Sequence, residues 1–270
     1  MLNSTQKIVT FVLRNNNWID CKKIMKRRKY IAILLILILL VALCCNLYSN
    51  KDYVVRSEPI EEVYVERVDS IGLVILYPQF STIDLVCDTM PSKDDASVIL
   101  VAEAAYTGEC LKQFKHSNIS GDHVSRGVLY RGYKSRRNTG AFVYYNDAWK
   151  FCEQPYRNEL DSAAHYGGAG FAQELIVKNS KLMDTPRKDG SKNCFRALCE
   201  HSSRLCIIES DSIITFGEFK NRLMNYGVAN AIYLDMGAGW SYAWYRTPSS
   251  IIEMKPHRHD YCTNWVTFYK

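Results

Sequence analysis

The sequence has no C-x-x-C pair, no glycine-rich phosphate loop and no Ser–His–Asp order of the kind that marks a nucleophilic triad. The first absence argues against a zinc ribbon, the second against a P-loop nucleotide hydrolase and the third against a serine hydrolase. No internal repeat is present, which excludes a solenoid or propeller. Acid is almost missing from the first 30 residues. There, only Asp20 opposes Lys7, Arg14, Lys22, Lys23, Lys26, Arg27, Arg28 and Lys29. The formal net charge of +6 is therefore largely a property of one end. The rest is near neutral, so no nucleic-acid partner is expected.

Directly after "MKRRKY", residues 25–30, comes the apolar run "IAILLILILLVALCC", residues 31–45. A basic cluster before an uninterrupted apolar run is the pattern of an export signal or signal anchor. The run is short against the roughly 20 residues of a comfortable span, and extending it through Tyr48 brings an anchor within reach. Cys44 and Cys45 add the alternative of a lipoprotein signal. The chain thus divides into a cytoplasmic basic segment (1–30), a signal anchor or lipoprotein signal (31–48) that partners the membrane, a tether (49–62) and one domain (63–270). The expected location is the exported side of a bacterial inner membrane or the cell envelope. Seven cysteines fall in the exported part, namely Cys87, Cys110, Cys152, Cys194, Cys199, Cys206 and Cys262. An odd number leaves at least one outside any pair within the chain.

Within the domain, short apolar runs alternate with turn signals. "VYVERV", "IGLVILYP", "TIDLVCDTMP" and "ASVILVAEAAYTG" read as strands. "GVLYRGY" and "GAFVYYNDAWKFC" read as a strand pair around the turn signal "RRNTG". "AGFAQELIVKNSKLM" reads as a strand, a turn at Asn179–Ser180 and a short return. "FRALCEHSSRLCIIES" reads as a hairpin closed by "HSSR". "TFGEFKNRLMNYG" is the best helix, with Thr215 at the N-cap, Glu218 three residues on and Gly227 at the end. The helix leads into the strand "NAIYL" and then Asp235. Many strands and few helices predict an α+β domain on a largely antiparallel or mixed sheet, with a few packing helices.

This order resembles the phosphodiester glycosidase domain family: a strand with Gln173, a turn at Asn179, the hairpin opened by Arg196, the capped helix, then "YGVANAIYLD" and a glycine-containing turn. That family includes the enzyme that uncovers mannose 6-phosphate and bacterial envelope proteins of exopolysaccharide-biosynthesis type. Arg196 matches its hairpin arginine, and Leu234–Asp235 match its LD pair. Where the family has glycine after the Asp, this chain has Met236. Gly239 and Trp240 stand in place of two serines, and Glu103 in "EAAYT" stands in place of an asparagine. The resemblance implies an envelope-exposed hydrolase acting on a sugar-1-phosphodiester or related glycan-phosphate. The alternative is a non-catalytic glycan- or envelope-binding protein on the same fold.

Such a reaction needs a phosphate clamp, a proton donor and an activated water. Arg196 is the clamp candidate, because guanidinium matches phosphate oxygens bidentately; a salt bridge is the competing role. Asp235, delivered at a strand end beside the bare backbone of Gly237 and Gly239, is the candidate base or ligand for a divalent cation. Its competing role is to cap its own turn. His123, in "HSNISGDHVSRG", is the candidate general acid, and Glu103 ends a strand in the same region. Gln173, beside Glu174, is a candidate for sugar or phosphate contact. Trp240, Tyr242 and Trp244 suit a sugar platform or, equally, a buried aromatic face. His257 and His259 in "HRHDYC" would share a strand face and suit a metal.

Overall fold

Period-two alternation in the strands sorts apolar side chains to two sides of a central sheet. Ala197, Cys199, Ala231 and Tyr233 pack on one side, and Leu198, Ile232 and Leu234 on the other. In the computed structural model, residues 55–56, 65–109, 111–237, 241–255 and 261–270 are described. The expected membrane segment at 31–48 lies outside them. Among the described residues, no helix is long and apolar enough to cross a membrane.

Among the described residues the fold is mostly antiparallel β with two α-helices, of the α+β kind expected. The central seven-stranded sheet has the order 181–182, 175–178, 230–234, 196–201, 204–210, 73–78, 65–70. The helix Phe216–Tyr226 covers one face, burying Phe216, Phe219 and Leu223 against Phe195 and Tyr233. Thr215 caps it by accepting the Glu218 N–H at 3.1 Å, and Gly227 ends it at φ 86°. The Glu218 carboxylate turns to Arg222 one turn on, at 2.6 Å. The opposite face meets a six-stranded sheet (55–56, 148–153, 140–145, 169–173, 123–125, 128–130) and a five-stranded sheet (251–254, 243–246, 98–103, 264–269, 82–87). All three contribute to one core, which includes Leu198, Leu234, Phe142, Phe171, Leu100 and Phe268.

Two details depart from the expectation. Strand 128–130 pairs with 123–125, while Gly140–Tyr145 folds back on Ala148–Glu153. The turn that closes this hairpin is Asn146–Asp147, not "RRNTG". Both residues have positive φ (52° and 56°), the conformation of a two-residue I′ turn that Asn and Asp tolerate. The same device closes the hairpins at Asn179–Ser180 and Ser202–Ser203. Second, "AGFAQELIVK" is two strands. Ala169–Gln173 belongs to the six-stranded sheet and Leu175–Lys178 to the central one, with buried Glu174 at the corner. The helix Arg157–His165 was not legible either, since it buries only Leu160 and Ala163 and so leaves little apolar periodicity.

Candidate functional site

The strand Asn230–Leu234 is held between Leu175–Lys178 and Arg196–His201. Beyond Leu234 the chain leaves the central sheet, and the Asp235 N–H donates to the Ala104 carbonyl at 3.0 Å. Ala104 directly follows the strand Val98–Glu103 of the five-stranded sheet. Asp235 and Glu103 are thus brought together where two sheets meet. Both are buried, at 5% and 0% exposure.

Burial pushes the Asp235 carboxyl up to about 7. The N–H of Gly237 works against the shift, as do the charge of Arg187, the N–H of Met236 and the charge of Arg137. Burial also holds Glu103 well above the usual carboxylate range, and the nearby Asp235 charge raises it further. Glu103 Oε1 is reached at 3.4 Å by Asn264 Nδ2 and at 3.5 Å by the Thr263 N–H, and the Cys262 thiol also hydrogen-bonds the carboxyl. Its Oε2 and the Gln173 Nε2 have no hydrogen-bond partner among the described residues. Two carboxyls raised by burial at one junction, one of them to near neutrality, have the electrostatics that general acid–base chemistry uses.

The positive charge beside Asp235 comes from arginines that sequence reasoning missed. The Arg187 guanidinium lies over the Tyr233 ring at 4.4 Å and donates to the Tyr106 hydroxyl. Its Nε is 3.6 Å from Glu174 Oε2, and its backbone N–H donates to Glu174 Oε1 at 2.9 Å. Arg137 donates to the same Tyr106 hydroxyl at 3.4 Å and lies over that ring at 5.4 Å. Arg137 stands within the turn signal "RRNTG", and Arg187 sits in a polar stretch without periodicity. Tyr106 stands in "EAAYT", where only Glu103 was singled out.

The structure also brings Arg196 to this junction, paired in register with Leu234, but its donors are committed elsewhere. Nε and Nη2 hold Glu209 Oε2 at 2.9 and 2.6 Å, Nη2 also donates to the Ser241 carbonyl at 3.0 Å, and Nη1 donates to that of Tyr242 at 3.4 Å. Fully buried and so bonded, Arg196 braces the segment after the glycine turn; its geometry is not that of a phosphate clamp.

Tyr242 is no sugar platform. It is 1% exposed, its hydroxyl donates to Glu253 at 2.9 Å, and with Trp244 it packs against Val101 and Trp265. The alternation that suggested a platform buries these rings instead. His123 is also corrected as the general acid. Burial pushes its imidazole down to about 4, so at neutral pH it is uncharged and not the imidazolium a general acid needs. Its ring contacts are His116 and Tyr130. Gln173 is buried, its Oε1 accepting the Glu174 N–H at 2.9 Å. The Gly237 N–H donates to Asp235 Oδ1 at 3.0 Å, so the capping role is realised as well. Gly239, Trp240, His257 and His259 lie outside the described residues. Among the described residues, Asp235 is not grouped with two further carboxylates, imidazoles or thiols within reach of one ion.

Met236 follows Asp235 directly. It is 4% exposed, and its side chain packs into the core under the helix. Met236→Ala is expected to cost about 2–5 kcal/mol of stability, read by denaturant unfolding.

No family model and no curated protein sequence matches this chain. Among solved structures, it is similar to the zebrafish N-acetylglucosamine-1-phosphodiester alpha-N-acetylglucosaminidase catalytic domain, auto-inhibited by its pro-peptide. The TM-score is 0.57 at 10% identity, over 81% of this chain and 87% of that one. A hypothetical protein from Synechocystis matches with TM-score 0.47 at 10% identity, over 76% of this chain and 61% of that one. At such identity the first likeness is one of fold: this chain is built like the catalytic domain of a phosphodiester glycosidase.

Proposed function

We propose that this protein is a phosphodiester glycosidase-like hydrolase, exposed at the cell envelope and acting on a sugar-1-phosphodiester or related glycan-phosphate. The observation that carries the reading is the convergence of two buried carboxyls, Glu103 and Asp235, beside the Arg187–Tyr106–Arg137 cluster. In this mechanism Arg187 and Arg137 hold the phosphate. Asp235 takes a proton from the attacking water as it adds to the sugar carbon. Glu103 gives its proton to the phosphate oxygen that leaves. Gln173 Nε2 orients a hydroxyl or phosphate oxygen. Attachment through residues 31–48 would keep the domain at the membrane surface.

The pH profile tests this assignment. The kcat/KM for a chromogenic sugar-1-phosphodiester is expected to rise through an apparent pKa of about 7 as Asp235 ionises. It should fall again at higher pH as Glu103 loses its proton. A flat profile between pH 5 and 8 would count against the pair. The alternative, a glycan-binding protein without turnover, draws on two observations: the four hydrogen bonds that Arg196 makes within the protein and the Asp235–Gly237 cap. Glycan-phosphate binding with no turnover at any pH would select it.

A further inference from the structure

The loop "HSNISGDHVS" and the end of a distant strand meet in a second cluster that the proposed hydrolysis does not use. Cys87 ends the strand Thr82–Cys87 of the five-stranded sheet. His123 opens His123–Ser125 in the six-stranded sheet. His116 starts the short 3-10 turn His116–Asn118. One ligand atom from each, the Cys87 thiol sulfur and a ring nitrogen of either histidine, lies within 4.8 Å of the others.

Both imidazoles are held in place. His123 Nδ1 faces the Gly121 carbonyl at 3.2 Å. If that nitrogen carries the proton, Nε2 is left with its lone pair toward His116 Nδ1, 3.0 Å away. A backbone carbonyl on the far nitrogen is the usual means by which a metal-binding histidine is oriented. Tyr130 stacks on the His116 ring at 3.4 Å and 5°, which fixes its plane. Gly121 makes the return between the two histidines possible. Its φ is +76°, and a side chain there would strike Asn138 at 2.3 Å.

We propose that Cys87, His116 and His123 bind one zinc ion. Imidazole nitrogens about 2.0 Å and a thiolate sulfur about 2.3 Å from a tetrahedral zinc stand roughly 3.3–3.6 Å apart, so small side-chain rotations suffice. One thiol and two imidazoles suit zinc in preference to magnesium or calcium, which take oxygen ligands. On binding, the Cys87 thiol proton leaves to solvent, and His116 shifts its ring proton from Nδ1 to Nε2, giving up its hydrogen bond to His123; the sulfur and the inward nitrogen of each histidine then each donate an electron pair to the metal. Three protein ligands leave a fourth position for solvent. The ion would link the five-stranded and six-stranded sheets at a point where no strand pairing joins them.

The test is titration of the purified full-length chain with cobalt(II), a coloured substitute for zinc, with displacement by zinc. The expected result is a thiolate-to-cobalt charge-transfer band saturating at one ion per chain. Cys87→Ser should remove that band, and His116→Ala and His123→Gln should each weaken binding at least 10-fold. Cys194→Ser, at a half-buried thiol elsewhere, should change nothing. Zinc should raise the melting temperature of wild type and leave that of Cys87→Ser unmoved, a readout that holds even if His123→Gln folds poorly. A band that survives Cys87→Ser, or the absence of any cobalt or zinc effect on wild type, would overturn the proposal. A copper-type band near 600 nm with copper(II), together with no zinc effect, would overturn zinc as the ion.

Discussion

Asp235→Asn is expected to lower hydrolysis of a sugar-1-phosphodiester by about 100- to 10,000-fold while the protein stays folded. The substitution keeps the shape of the side chain and its oxygen for the Gly237 N–H, and removes the basicity. It has a second consequence with the opposite sign. Burial raises the folded carboxyl to about 7 from the ordinary 3.8 of a free Asp. A carboxyl raised in this way favours the folded state fully below its unfolded pKa, and that contribution is lost as pH rises through about 7. Asn mimics the protonated form at every pH. The variant should therefore match wild type near pH 4 and exceed it at pH 8, by a few kcal/mol at most. An inactive enzyme that is also the more stable one at alkaline pH is a pattern that simple misfolding does not produce. Wild-type turnover in Asp235→Asn would remove Asp235 from the mechanism.

Arg196→Met is the second large effect, and it falls on the fold. The arginine is fully buried, and its loss strands Glu209, itself 3% exposed, with only Lys255 at 3.2 Å. Breaking one side of a buried ion pair costs about 3–5 kcal/mol. In a domain of this size that is on the order of 10 °C in melting temperature. The double variant Arg196→Met, Glu209→Leu should recover much of the loss, because an apolar pair leaves no stranded charge. Calorimetry on the single and double variants decides the matter. A single variant with normal stability and a raised KM would restore Arg196 as a substrate clamp.

How much of this could be read beforehand depended on whether the signal was local. The Thr215 cap, the Gly227 stop and the "HSSR" hairpin were legible because each is a few residues of specific backbone chemistry. Asp235 and Glu103 were legible because a lone acid after an apolar strand is costly without a purpose. Arg137 and Arg187 were not, since what makes them notable is proximity to Tyr106 and Tyr233, which no spacing encodes. Tyr242 and Trp244 show the limit of period-two reasoning. Alternation identifies a face without telling whether that face meets solvent or another sheet. The break at Glu174 was hidden for a related reason: a strand that changes sheets keeps its apolar pattern through the corner.

The pairing of Val98–Glu103 with Asn264–Tyr269 matters during synthesis as well as in the finished molecule. The partner strand is made roughly 160 residues later, a separation that slows folding through the entropy of closing so long a loop. Until then Val98, Ile99, Leu100 and Val101 have an unpaired edge on that side, in a run that is fully buried once folded. The nascent chain thus presents an apolar β-segment throughout the synthesis of the residues that separate the two strands. That interval, more than the stability of the final fold, is where a holding chaperone would find its binding site and where aggregation would begin.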